Sequence, residues 1–266
     1  MRPQNAKSFL KSITPPIIID LLRTSVAHSP KEMVPVLTLE KNKESIQSDE
    51  YIRWLCQILG GFLDSNNGNI VAFDHAVRHM PDDGAIIEIG SFLGLSTNII
   101  AYLTIKHGRN NRFFNCDPWR FEETEKPVGG YFDASSNDFR EYVKKLFATS
   151  VELFSKNRKP YSIESTSEQF LRQWKFESAV KDVFGRETVL GGPISFAYID
   201  GAHTYEAAKN DFLGIDRDLL PGGFVLFDDS ADDSPFECRK VVAEMMSNPK
   251  YEMTFKTPNY FFRKKG

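Results

Sequence analysis

The sequence predicts an α/β protein: a doubly wound, seven-stranded, mostly parallel sheet with an antiparallel C-terminal hairpin, preceded by an N-terminal helical extension. Three observations carry this. Five short apolar runs recur between residues 85 and 227, each suited to a strand buried on both faces. Amphipathic segments separate them, and strands alternating with helices imply βαβ units with helices on both faces of a parallel sheet. Two final β-rich stretches flank Pro258-Asn259, the pattern of a hairpin.

The elements follow in order. Residues 28–48 are polar, with Pro30 and Pro35, and read as a linker. Glu50 to Leu59 reads as a helix because Ile52, Leu55, Cys56 and Leu59 recur at i, i+3, i+4, i+7. Gly60-Gly61 and the run from Asp64 to Asn69 interrupt it with turn chemistry. A second helix runs from Ile70 to about His79 and ends at Pro81-Asp82-Asp83-Gly84. Ala85 to Ile89 is the first strand, Ser96 to about His107 a helix, and Arg112 to Cys116 the second strand. A long amphipathic helix from Asn137 to Ser155 carries Phe139, Tyr142, Val143, Leu146 and Phe147 on one side. Tyr161 to Glu164 is the third strand and Ser167 to Trp174 the next helix. Ile194 to Ile199 is the fourth strand; a helix from Tyr205 to Leu219 follows, ended by Pro221-Gly222-Gly223; Phe224 to Phe227 is the fifth strand. Tyr251–Phe255 and Tyr260–Arg263 form the hairpin that closes the sheet edge. The chain thus divides into an extension, 1–69, serving as a lid, an oligomer contact or a membrane-surface segment, and a main domain, 70–266.

Composition excludes several function classes. Lys+Arg 33 against Asp+Glu 36 leaves a net charge of −3, so no basic field recommends nucleic acid as a partner. Cys56, Cys116 and Cys238 are odd in number and far apart, which speaks against a disulfide framework or structural zinc and fits a reducing, cytoplasmic setting. No stretch approaches ~20 apolar residues, so no membrane span is expected. Lys7, Lys11 and Arg23 flank apolar residues around Pro15-Pro16; this segment packs on the domain or a second subunit, or forms a weak membrane-surface helix.

In open α/β sheets ligands sit beyond the carboxyl ends of the strands. The first such end reads Glu88-Ile89-Gly90-Ser91-Phe92-Leu93-Gly94. A dinucleotide fingerprint G-x-G-x-x-G would place glycines at 90, 92 and 95, where this chain has Gly90, Phe92 and Leu95, and a P-loop is absent. An acidic strand end followed by G-x-x-x-G suits a ligand with an ammonium group. This segment resembles class I S-adenosylmethionine-dependent methyltransferases, whose sheet is Rossmann-like. The second strand ends at Asp117, followed by Pro118-Trp119; a carboxylate there can accept from both ribose hydroxyls, the role it has in that family. After the third strand, Glu164-Ser165-Thr166-Ser167 stands where the family often has Gly-Asp-Ser beside the adenine, with Thr166 in place of the common Asp. The resemblance implies a cofactor set of Glu88, Gly90, Ser91, Gly94, Ser96, Asp117, Trp119, Ser165, Thr166 and Asp200 for S-adenosylmethionine.

The fourth strand ends Ile199-Asp200-Gly201-Ala202-His203-Thr204-Tyr205-Glu206 and the fifth Phe227-Asp228-Asp229. If these strands are neighbours, three carboxylates meet at one rim and repel unless a cation joins them. Oxygen ligands suit Mg²⁺ or Ca²⁺. The Asp-Gly-x-His-x-Tyr-Glu segment, then Leu219-Leu220-Pro221-Gly222-Gly223 and a strand ending in Asp, resembles the macrocin-type sugar O-methyltransferases and cephalosporin-hydroxylase-like proteins, over roughly residues 70–265. This resemblance implies Mg²⁺ on Asp200, Asp228 and Asp229, catalysis by His203 as base with Asp200, and a hydroxyl of a small molecule or of a sugar or glycan precursor as acceptor. A hydroxylase-like enzyme on the same fold and a non-catalytic interaction protein are the competing readings. The [DNS]PP[YF] segment of amino-methylating nucleic-acid enzymes is missing, since Asp200-Gly201-Ala202-His203 stands there. Residues 120–136 read as a lid or surface loop, and a homo-oligomer is a candidate state.

Overall fold

The five apolar runs become strands because each is buried from end to end or nearly so, a setting in which polar alternation is not needed. The structure, a computed structural model, describes residues 46–63, 68–120 and 135–266. The roles assigned to 1–45, to the turn at 64–67 and to most of the 120–136 loop lie outside the described residues.

In chain order the elements are α1 (Glu50–Ile58), α2 (Gly68–His79), β1 (Ala85–Ile89), α3 (Leu95–Lys106), β2 (Phe113–Cys116), α4 (Ser136–Phe154), a 3₁₀ turn at Lys156–Arg158, β3 (Tyr161–Ile163) and α5 (Ser167–Lys175). There follow β4 (Ala179–Lys181), β5 (Glu187–Val189), β6 (Ile194–Ile199), α6 (Tyr205–Asp216), β7 (Leu219–Phe227), α7 (Cys238–Met246), β8 (Tyr251–Lys256) and β9 (Tyr260–Lys264). The main sheet has seven strands in the order β3-β2-β1-β6-β7-β9-β8. Strands β3, β2, β1, β6 and β7 run parallel, β9 pairs antiparallel with β7, and β8 antiparallel with β9. The chain starts at the centre, builds outward to β3 and then crosses to β6. The switch point therefore lies between β1 and β6, where a ligand crevice opens in this topology.

Side chains alternate across the sheet. Ile87, Ile89, Phe114, Ala197, Ile199, Val225 and Phe227 share a core with Phe170 and Trp174 of α5, Phe212 of α6 and Val241 of α7. On the opposite face Phe73 of α2 packs on Phe196 and Tyr198. Asp49 fixes α1 at both ends of a short network: Oδ1 accepts from Ile52 N at 3.0 Å, and Oδ2 accepts from the Tyr102 hydroxyl of α3 at 2.9 Å. No helix among the described residues is long and apolar enough to cross a membrane.

Three sequence expectations need correction. Leu219 does not end a helix but starts β7, which runs through Pro221-Gly222-Gly223. An irregularity in the β6–β7 register between Ile194 and Phe196 absorbs the proline and glycines. The α4 stripe is narrower than the sequence suggests: Val143 and Phe147 are buried, whereas Tyr142 is 59% exposed and Leu146 also faces solvent. The antiparallel pair β4–β5 and helix α7 were not anticipated. The pair is organised by Asp182, whose Oδ1 accepts from the backbone N–H groups of Phe184 and Arg186 around Gly185, a local turn device rather than an apolar pattern.

Candidate active site

Register places the acidic residues. Ile89 pairs with Ile199 and Ile199 with Phe227, so the chain leaves β1, β6 and β7 side by side as Gly90, Asp200 and Asp228. Asp200 N donates to Ile89 O at 2.8 Å, and Asp228 N donates to Ile199 O at 2.9 Å. At Gly90, φ is +86°, and a Cβ there would lie 1.9 Å from the Asp200 carbonyl oxygen. Only glycine lets the β1 turn approach the end of β6 so closely.

Asp117 organises that turn. Its Oδ2 accepts from Ser91 N at 2.8 Å and Phe92 N at 2.9 Å, and its Oδ1 accepts from Trp119 N at 2.6 Å. Phe92 and Trp119 have φ of 44° and 43°, conformations that cost of order 1–3 kcal/mol each unless held. The carboxylate that sequence reasoning assigns to ribose therefore already anchors three backbone donors. With about four acceptor sites per carboxylate, it retains room for roughly one more partner. Burial raises its pKa, and the Ser91, Phe92 and Trp119 N–H groups oppose that rise.

Glu88 lies beneath the turn with 0% exposure. Oε2 accepts from the Thr97 hydroxyl at 2.5 Å and from Asn115 Nδ2 at 3.3 Å, while Oε1 has no hydrogen-bond partner. Burial pushes its pKa up to about 7, against the donors Ser96, Thr97 and Asn115.

Tyr198 bridges the acidic rim, its hydroxyl lying 3.1 Å from Asp200 Oδ2 as well as beside Asp228. Asp228 faces a polar network: Oδ1 accepts from Asn69 Nδ2 at 2.7 Å and from Asn259 Nδ2, and Oδ2 accepts from the Tyr198 hydroxyl at 2.8 Å. Asn259 Nδ2 also donates to Asn69 Oδ1 at 3.0 Å. The ligand atoms of Asp200, His203 and Asp229 instead lie within 4.8 Å of one another. The cluster that geometry assembles thus differs from the sequence triple by His203 in place of Asp228. Asp229 Oδ2 stands 3.3 Å from His203 Nδ1, and Phe236 packs tilted against the imidazole with centroids 4.4 Å apart. Burial, and then the nearby Asp228, hold the Asp200 carboxyl well above the usual carboxylate range. Asp229 is raised by the same two causes, with His203 opposing.

A cavity of about 760 Å³ joins these parts, within the range of small-molecule sites. Of the sequence-predicted residues, Gly90, Ser91, Ser96, Asp117, Asp200, His203, Asp228 and Asp229 line it. Glu88, Gly94, Trp119, Ser165 and Thr166 do not. Gly94 caps α3, Trp119 is buried against Phe147 with Nε1 donating to Phe92 O at 3.0 Å, and Thr166 caps α5 by accepting from Gln169 N. Ser165 is buried and its hydroxyl makes no hydrogen bond. Sequence reasoning missed Gly61, Phe62, Leu63, Phe92, Leu95, Phe139 and Phe236, all of which line the cavity. Only Gly60-Gly61 carried a signal, a close approach of that segment to Leu93 and Leu95.

A family model described as a methyltransferase domain matches residues 87–230. The structure is similar to the apo form of CalS11, a TDP-rhamnose 3′-O-methyltransferase of calicheamicin biosynthesis, at 19% identity and TM-score 0.50, covering 91% of this chain and 98% of that one. A second CalS11 structure matches at 17% identity and TM-score 0.51, covering 91% and 96%. At these identities the likeness is one of fold. The family match takes in more than half of the 266 residues, and the chain belongs to the methyltransferase-domain family, as a class I S-adenosylmethionine-dependent methyltransferase.

Proposed function

We propose that the protein methylates a hydroxyl oxygen of a small molecule or of a sugar or glycan precursor, with a divalent cation at the acidic rim and His203 as general base. The observation that carries this reading is the meeting of Asp200, His203 and Asp229 in the same cavity as the Gly90–Phe92 turn. The fold likeness to CalS11, named for a sugar 3′-O-methyl transfer, points the same way.

The residues fit both groups. Gly90, Ser91, Ser96 and the remaining acceptor site of Asp117 would hold the adenosyl ligand. Asp200 and Asp229 would hold the cation: two neighbouring carboxylates offer the oxygen donors that suit a hard ion such as Mg²⁺. S-adenosylmethionine, when bound, would supply an electrophilic methyl group on a sulfonium, and a bound cation would lower the pKa of a nearby hydroxyl. Asp229 on Nδ1 orients the imidazole and leaves Nε2 to take the proton. The transfer would leave the bonding pair of the broken carbon–sulfur bond on sulfur, and His203 would take the proton released as the acceptor oxygen gains the methyl group. The protein's main contribution is in-line positioning.

Calorimetric titration with S-adenosylhomocysteine, followed by turnover of an acceptor panel with and without Mg²⁺, tests this. His203→Ala is expected to lower kcat about 10²- to 10⁴-fold at unchanged S-adenosylhomocysteine affinity. Unchanged turnover removes the base, activity insensitive to EDTA in both wild type and Asp200→Asn removes the cation, and no S-adenosylhomocysteine binding removes the whole reading.

A further inference from the structure

The cavity has a second character beside its acidic rim. Phe62, Phe92, Phe139 and Phe236 line it, with Leu63 and Leu95. Phe62 is 87% exposed, yet its ring stacks on Phe92 with centroids 5.8 Å apart and planes 24° from parallel. Phe236 packs on His203 with the ring planes tilted by 37°. Burying an exposed phenylalanine is favourable, so an occupant with a matching apolar face gains by covering Phe62.

Charge narrows the occupant further. The titratable groups among the described lining residues are Asp117, Asp200, His203, Asp228 and Asp229, with no Lys or Arg among them. A diphosphate is recognised by guanidinium or ammonium donors, which the described lining does not supply. An uncharged ring compound needs none of them.

Resting on the methyl-transfer reading above, we propose that the acceptor is an uncharged, hydroxylated ring compound whose apolar face packs on Phe62 and Phe236 and whose hydroxyl meets Asp200 and His203. A nucleoside diphosphate sugar is the acceptor class this disfavours. Stacked aromatic pairs prefer the offset arrangement that Phe62 and Phe92 already adopt, so a planar acceptor would extend an existing stack.

The full chain is titrated with S-adenosylhomocysteine by calorimetry in Mg²⁺ buffer. The saturated complex is then titrated with 2,3-dihydroxynaphthalene and, separately, with a nucleoside diphosphate sugar. The diol is expected to bind and the nucleotide sugar not to bind. Phe62→Ala, a substitution at an exposed position that leaves the core intact, is expected to weaken diol binding about three- to tenfold at unchanged S-adenosylhomocysteine affinity, and Phe62→Trp to restore it. Absence of diol binding, or nucleotide-sugar binding at least as tight, overturns the proposal and leaves methyl transfer standing. Loss of S-adenosylhomocysteine affinity in Phe62→Ala also overturns it, because the ring would then serve the cofactor. A wild-type chain that binds no S-adenosylhomocysteine overturns both.

Discussion

At Gly90 the backbone decides which residue is tolerated. A Cβ 1.9 Å from the Asp200 carbonyl would force the β1 turn away from β6, and φ of +86° adds strain for any L side chain. Gly90→Ala is expected to lower the melting temperature by several degrees and S-adenosylhomocysteine affinity at least about tenfold. Wild-type affinity in calorimetry would show that the turn does not shape the binding site. Asp117 shows how far a residue can be read in advance. Its acidity and its place at a strand end were legible. That its oxygens anchor Ser91, Phe92 and Trp119 was not, because those donors converge only once Phe92 and Trp119 adopt left-handed conformations.

Among the elements, the C-terminal hairpin reaches into the site. Asn259 at its tip is 4% exposed; it donates to Asn69 and Asp228, and its Oδ1 accepts from Ser230 N at 2.9 Å. Asn259→Ala removes partners from buried groups, so a loss of about 1–3 kcal/mol is expected. Because Asp228 is then held by Asn69 and Tyr198 alone, kcat should fall more than S-adenosylhomocysteine affinity; Asn259→Asp, which sets two carboxylates together, should be worse. Equal effects on kcat and affinity, read from steady-state kinetics and calorimetry, would reduce the network to a purely structural one. The hairpin was readable from Pro258-Asn259 and the flanking β-rich runs. Its polar network was not, since Asn259 lies 31 residues from Asp228 and 190 from Asn69. Helix α7 left a trace in Val241, Val242 and Met245, whereas β4, with Ala179 and Lys181 exposed, left none.

Across the whole molecule, the buried Glu88 and the half-buried His75 set opposing pH dependences of stability. Burial pushes the Glu88 pKa from an ordinary 4.5 up to about 7, so the folded state binds its proton more tightly and stability falls as pH rises from 4.5 to 7. His75 titrates near 4 against 6.5, because burial and then His79 disfavour its charge, so stability is lost as pH falls from 6.5 to 4. Relative to wild type, Glu88→Gln should gain stability between pH 4.5 and 7, by on the order of 3 kcal/mol. His75→Phe should gain it as pH falls through the range from 6.5 to 4. Chemical denaturation of the ligand-free protein across pH 4–8 checks both, and curves parallel to wild type would mean that neither group changes its proton affinity on folding.

By itself the sequence determined the α/β class, the central strands, the C-terminal hairpin and the acidic and glycine residues at the strand ends. Those signals are local: runs of apolar side chains, turn residues, and acids where a strand must stop. Tertiary structure alone decided how these residues divide their work. It bonded Asp228 to Asn69, Asn259 and Tyr198, grouped Asp200 with His203 and Asp229, and brought Phe62 and Phe236 to the same cavity. The physical reason is that a carboxylate's role depends on which donors and charges lie within a few ångströms of it, and here those neighbours come from α2, β6, β7 and the hairpin tip, which are distant along the chain and adjacent only across the folded sheet.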